Sequence, residues 1–227
     1  MKQSEYNKTI FENFSVPFKE PRVFKSFNIV KKYTPGKILD IGCSTGDFIF
    51  ELKKLGWNTF GVDISYNALK KSREKNLNVI LNDLSFGLPF KDESFDYVYT
   101  SEVIEHVLDT SLFLKEIYRV LRPHGTLFLT TPNMASLTRR ITLFFGMQPP
   151  LLGYDFEHND AGHVRYYTSQ VLYNHIKEHG FKIKKSLGDY IHIPRMSYFF
   201  KKICSFPASL PILKNFSNSF IVIAEKI

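Results

Sequence analysis

Short apolar runs alternate with amphipathic stretches through the middle of the chain. KILDI (37–41), NTFGVDI (58–64), NVILND (78–83), FDYVYTS (95–101) and GTLFLTTP (125–132) read as strands. They are rich in Ile, Val, Phe and Thr and are bounded by Gly, Pro, Asn or Asp. DFIFELKKLG (47–56), the stretch near SYNALKKSREKN (65–76) and SLFLKEIYRVLRP (111–123) carry the helical spacing, and Gly56 closes the first of them. Strands separated by helices of this length predict right-handed βαβ units and a parallel sheet, an α/β doubly wound architecture.

The flanks read differently. Residues 1–35 form a helical lead-in, with Phe24, Phe27 and Val30 at helical spacing, ended by Thr34-Pro35-Gly36. Residues 134–166 are too irregular for another βαβ unit and read as an insertion over the rim of the sheet. A helix (169–180) follows, capped by Thr168 or Ser169. Strands over 181–190 and 219–227 close the chain, with an aromatic, basic, proline-broken segment (194–216) between them. The whole is expected to be one domain: lead-in, core over 36–133, substrate-side insertion over 134–166, and a C-terminal helix and strand hairpin over 167–227.

In such sheets ligands bind outside the carboxyl ends of the strands. Asp40, Ile41 and Gly42 stand at the first end, Asp63 at the second, Asp83 at the third, Ser101 and Glu102 at the fourth, and Pro132 and Asn133 at the fifth. That rim is the expected active edge.

Composition narrows the class. The 227 residues are 44% hydrophobic and 23% charged, as in an ordinary globular domain. The net charge of +8 favours anionic partners, or else a solvated basic face. Two cysteines, Cys43 and Cys204, make no disulfide framework. MKQSEYNKTIFENF lacks a signal-peptide core, so a cytoplasmic location is expected. No apolar run reaches the roughly 18 residues of a membrane span. ITLFFGMQPPLLG and SYFFKKICSFPASLPILKNF set basic residues beside Phe, Tyr and Leu, which suits peripheral contact with an anionic membrane; the alternative is an aromatic hairpin packed on the domain.

The loop after the first strand, Gly42-Cys43-Ser44-Thr45-Gly46, is literally G-x-S-x-G. A hydrolase elbow would also need an oxyanion loop from an earlier strand and a defined triad. No HGGG-like stretch precedes it, and no acid and histidine are singled out. A dinucleotide loop needs G-x-G-x-x-G, where this chain has Gly42, Ser44 and Asp47. Asp40, directly before the loop, suits a cationic ligand better than a pyrophosphate.

ILDIGCSTGDF, GVDIS, NDLSFGLPFKDESFDYVYTSEVIEHV and VLRPHGTLFLTTPN together resemble the class I S-adenosylmethionine-dependent methyltransferases, in order and spacing over residues 36–133. The resemblance implies a Rossmann-like sheet of seven strands, the last antiparallel, and S-adenosylmethionine as cofactor. It implies that Asp40 holds the methionine ammonium, that Gly42, Cys43, Ser44 and Gly46 form the cradle, and that Asp63 takes the ribose hydroxyls. Asp83 would accept from the adenine amino group, Ile64 and Leu84 would sandwich the ring, and Ser101 would border the site. Ser44 stands where many members have glycine.

SEVIEHV is the second informative stretch. On a helix Glu102, Glu105 and His106 would share one face at the rim. They could form part of a divalent metal site, Mg²⁺ among the ions considered, with His158 or His163 added from downstream. The E-x-x-E-H pattern resembles that of ubiquinone-pathway O-methyltransferases and of small-RNA 2′-O-methyltransferases. Glu105, His106 and His163 are the catalytic candidates. In EHNDAGHVRYYT, His158 or His163 is a base and Arg165 an anion ligand, or His163 and Arg165 only pin the insertion. The expected reaction is O-methylation of a small molecule, a sugar, or a quinone-type or lipid-linked acceptor. The alternatives are a metal-dependent RNA enzyme, which the lack of an RNA-binding domain and of an arginine run opposes, and a non-catalytic cofactor-binding partner protein.

Overall fold

The computed structural model describes residues 17–149, 162–191 and 213–227. Seven strands form one sheet: β1 (Lys37–Ile41), β2 (Asn58–Asp63), β3 (Asn78–Leu81), β4 (Phe95–Ser101), β5 (Leu121–Pro132), β6 (Phe181–Gly188) and β7 (Ser219–Lys226). Their order is β3-β2-β1-β4-β5-β7-β6. The first five run parallel, and β7 runs antiparallel to both β5 and β6. The helices are α1 (Pro21–Val30), α2 (Asp47–Lys54), α3 (Tyr66–Glu74), α4 (Thr110–Val120), α5 (Leu137–Phe144) and α6 (Ser169–Glu178).

The sheet is covered on both faces, which is why its central strands read as near-continuous apolar runs. Period two sends Leu39 and Ile41 to one side with Phe113, Leu114 and Ile117 of α4 and Leu172 and Ile176 of α6. Ile38 goes to the other side with Phe27 and Val30 of α1, Phe48 and Leu52 of α2, and Tyr99 and Phe128. Phe48 stacks on Tyr99 with centroids 3.8 Å apart.

Two expectations change. In the lead-in the inward face is Val23, Ser26, Phe27 and Val30, whereas Phe24 is exposed. The region after Asn133 holds a regular helix, α5, whose only buried residues are Thr138 and Arg139. That inverted pattern hid it. His158, Cys204 and most of segment 194–216 lie outside the described residues. Among the described residues no helix is long and apolar enough to cross a membrane.

Candidate active site

A cavity of about 690 Å³ opens at the carboxyl ends of the parallel strands. This is a size typical of small-molecule sites. Asp40, Gly42, Cys43, Ser44, Asp63, Ile64, Asp83, Leu84, Ser101, Glu102, His106 and His163 all line it. Gly46 and Glu105 do not, and neither does Asn133. Asn133 is buried and structural: its Nδ2 donates to the carbonyls of Asn215 and Ser217.

The loop after β1 turns through three left-handed residues, Gly42 (φ 79°), Ser44 (φ 46°) and Gly46 (φ 72°). A Cβ on Gly42 would lie 2.5 Å from the Val103 side chain, so the loop can pack here only as glycine. Gly46 starts α2, and a Cβ there would meet Leu77. Cys43 packs on Gly61, and burial pushes its thiol up. Ser44 bonds its neighbours through its backbone on both sides. Its N–H donates to Asp63 Oδ2 at 2.7 Å, and its carbonyl accepts from Ser72 Oγ at 2.8 Å.

Asp63 is not the cap of α3. Ser65 is, accepting from the Ala68 N–H at 3.1 Å. Asp63 instead takes the N–H groups of Ser44 and Ser65, one on each oxygen. Asp83 accepts from the Ser85 N–H at 3.0 Å and shapes the turn Leu84–Phe86. Asp40 is 3% exposed. Burial raises its carboxyl well above the usual range, and Asp63 adds to the rise. A buried acid facing a cavity is matched by a cationic ligand group.

Glu102, Glu105 and His106 do not share a helical face. Glu102 takes φ 56°, and Ile104–His106 form a single 3₁₀ turn. Glu102 turns to Arg22 of α1, with Nη1 and Oε2 2.8 Å apart. Glu105 turns the other way and is fully buried. Thr131 Oγ1 donates to its Oε2 at 2.9 Å, while Oε1 has no hydrogen-bond partner among the described residues. Burial, and next the charge of Glu102, raise the Glu105 carboxyl well above its ordinary range.

His163 completes the cluster in place of Glu102. One potential ligand atom from each of Glu105, His106 and His163 lies within 4.8 Å of the others. The two imidazole centroids are 4.8 Å apart. His106 Nδ1 donates to the Gly162 carbonyl at 3.0 Å, which fixes the tautomer with Nε2 as acceptor. Burial lowers the pKa of His106, and burial, His106 and Arg139 take His163 down to about 3. Both rings are neutral at physiological pH. The segment that brings in His163 is tied down through its backbone, with Val164 and Arg165 N–H groups on the Glu105 carbonyl. The Arg165 guanidinium donates to the carbonyls of Val107 and Leu108, so Arg165 pins this segment.

Sequence reasoning missed Arg22, which lines the cavity beside Phe18 and Val23. Burial disfavours its charge, but Glu102 and Glu20 outweigh that and hold it ionised. Nothing local marks it, because its partner is far along the chain.

A parallel sheet in this order closed by an antiparallel β7, with a cradle after β1 and acids at three successive strand ends, defines the class I S-adenosylmethionine-dependent methyltransferase fold. Residues 39–129 match a family model described as a methyltransferase domain. The likeness to that model runs from β1 through most of β5.

Over 148 residues, 59% of this chain, it is 32% identical to the mitochondrial ubiquinone biosynthesis O-methyltransferase of Bos taurus, covering 39% of that protein. Over 143 residues, 58% of this chain, it is 34% identical to the demethylmenaquinone methyltransferase of Staphylococcus aureus strain MRSA252, covering 58% of it. The chain thus spans less than two thirds of either relative. A SAM-dependent methyltransferase structure from Thermotoga maritima shares the fold, with a TM-score of 0.64 at 21% identity over 90% of this chain and 89% of that one.

Proposed function

We propose that the protein transfers the methyl group of S-adenosylmethionine to an oxygen of a small, quinone-type or lipid-linked acceptor. The observation that carries this is one cavity bordered both by Asp40, Asp63 and Asp83 and by His106 and His163. The names of the two relatives, in ubiquinone and menaquinone chemistry, support the acceptor class.

The residues fit the cofactor. Asp40 suits the ammonium, Asp63 the ribose hydroxyls, Asp83 the adenine amino group, and Ile64 and Leu84 the ring faces. Bound there, S-adenosylmethionine supplies a methyl carbon already activated by a sulfonium. The chain supplies position and proton transfer. His106 presents Nε2 as an acceptor for the proton of the substrate hydroxyl. The Gly162 carbonyl, which accepts from Nδ1, holds the ring in that orientation. His163 is depressed too far to be the stronger base and serves as a neutral hydrogen-bond acceptor.

A second reading, metal-assisted transfer, is favoured by two buried atoms that have no hydrogen-bond partner among the described residues, Glu105 Oε1 and His163 Nδ1. Glu105, His106 and His163 would hold the ion, which would polarise the acceptor oxygen. Two imidazoles and a carboxylate suit Zn²⁺ or Mn²⁺, whereas Mg²⁺ prefers an oxygen shell. Glu102 is excluded from this set by its pairing with Arg22.

The test is calorimetric titration of S-adenosylmethionine, with NAD as control, followed by a screen of phenolic and prenylated acceptors with chelator, Mg²⁺ or Mn²⁺. Binding of S-adenosylmethionine and not NAD, with O-methyl product from a phenolic acceptor, is expected. Absence of S-adenosylmethionine binding would overturn the reading. Activity that survives chelation would remove the metal.

A further inference from the structure

The end of α5 exposes its apolar residues. Leu143 is 52% exposed, Phe144 84%, Phe145 66% and Met147 53%, with Gly146 between them turning at φ 66°. Scattered exposed hydrophobics need no explanation, but four within five consecutive residues mark an interaction site. The same helix buries Thr138 and Arg139 instead. Folding alone gives no reason for this arrangement.

The surroundings are basic. Residues 117–154 contain no Asp or Glu, and neither do residues 190–224. The structure brings the two acid-free stretches together. The Arg140 guanidinium lies 5.2 Å from the centre of the Phe216 ring, and Asn133, just before α5, bonds the carbonyls of Asn215 and Ser217. Arg140 is exposed beside the apolar tip. Asn133 directly follows β5 at the carboxyl end of the strand, so the connection to α5 leaves from the same sheet end that holds the cavity.

We propose that the Leu143–Met147 tip is a membrane-docking element that seats the protein on an anionic bilayer. The aromatic side chains enter the interfacial zone, and Arg140 and its basic neighbours meet the headgroups. The apolar surface supplies a non-directional attraction and the acid-free flank selects the charge. A second copy of this chain suits the tip less well, because it would set a basic flank against a basic flank. The proposal rests on the reading of the acceptor as lipid-soluble, since docking would bring the cavity to a substrate dissolved in the bilayer.

The experiment is flotation of the full chain with vesicles of phosphatidylcholine alone or containing about a quarter phosphatidylglycerol. Wild type is expected to float with the anionic vesicles. Phe144→Asp/Phe145→Asp is expected to lose at least about tenfold in partitioning, while binding S-adenosylmethionine as wild type does. Phe144→Trp gives a second readout that needs no loss of function: a blue shift on anionic vesicles and quenching by brominated lipid, against the constant background of buried Trp57. Wild type left unbound, a double variant that floats equally, or fluorescence of the Phe144→Trp variant that is blind to vesicles would each overturn the proposal. So would a dimer in sedimentation velocity that the double substitution dissolves. The titration with S-adenosylmethionine keeps failure of docking apart from failure of the cofactor reading.

Discussion

Asp63 holds the loop after β1 to the second strand: its Oδ2 accepts the Ser44 N–H at 2.7 Å while its Oδ1 accepts the Ser65 N–H at 2.8 Å. One carboxylate thus bonds the loop after β1 and the N-cap residue of α3. Asp63→Ala leaves two backbone donors without this acceptor. It is expected to lower stability by about 1–3 kcal/mol and to weaken S-adenosylmethionine at least tenfold. Denaturant melts and calorimetry read the two effects separately. A variant that melts early but binds normally would confine Asp63 to a structural role.

Ser44 sits at φ 46°, where a side chain is strained and glycine is not. This explains why glycine suits the position in related loops. Ser44→Gly is expected to retain cofactor binding and methyl transfer within about threefold, since the backbone N–H and carbonyl that the loop uses remain. Ser44→Val is expected to cost about 1–3 kcal/mol in a thermal melt. Loss of all turnover in Ser44→Gly with the cofactor still bound would revive the hydroxyl as a nucleophile.

The contrast between KILDI and SEVIEHV shows what local pattern can and cannot deliver. KILDI is a buried parallel strand, so its apolar run announces it, and β1 spans Lys37–Ile41 as expected. Asp40, Asp63 and Asp83 were legible because a parallel sheet puts every strand's carboxyl end on one rim. The spacing in SEVIEHV implied a helical face, but Glu102 in a left-handed conformation breaks the helix before it starts. Glu102 drops out of the cluster, while His163, one of the two downstream histidines expected there, stays in it. The choice of His163 accompanies backbone bonds from Val164 and Arg165 to Glu105, which no local pattern encodes. The helix α5 escaped notice because its apolar side chains face outward.

Arg22 and Glu102 form an ion pair with little access to solvent, their side chains 12% and 18% exposed. Removing one partner strands the other charge beside the cavity. Arg22→Met is expected to destabilise the fold by about 3–5 kcal/mol. The double variant Arg22→Met/Glu102→Gln is expected to recover most of that loss, because the more buried charge is removed and only the more exposed Glu20 loses its ion-pair partner. A double-mutant cycle by urea unfolding checks this, and additive single effects would show that the pair is not coupled.

Asp189 makes stability depend on pH. It is 7% exposed, and burial raises its carboxyl to about 7, against the lowering effect of the backbone N–H of Ser219 at 2.9 Å. In the unfolded chain the group titrates near the ordinary aspartate value. Between the two values the folded state binds the proton more tightly, so stability falls as pH rises through that window and levels off above about 7. The loss from this group is about 2–4 kcal/mol. Asp189→Asn keeps an oxygen to accept from Ser219 and removes the titration. It is expected to match wild type near pH 4 and to exceed it at pH 8 in urea melts. Equal pH dependence in the two proteins would place the titrating group elsewhere.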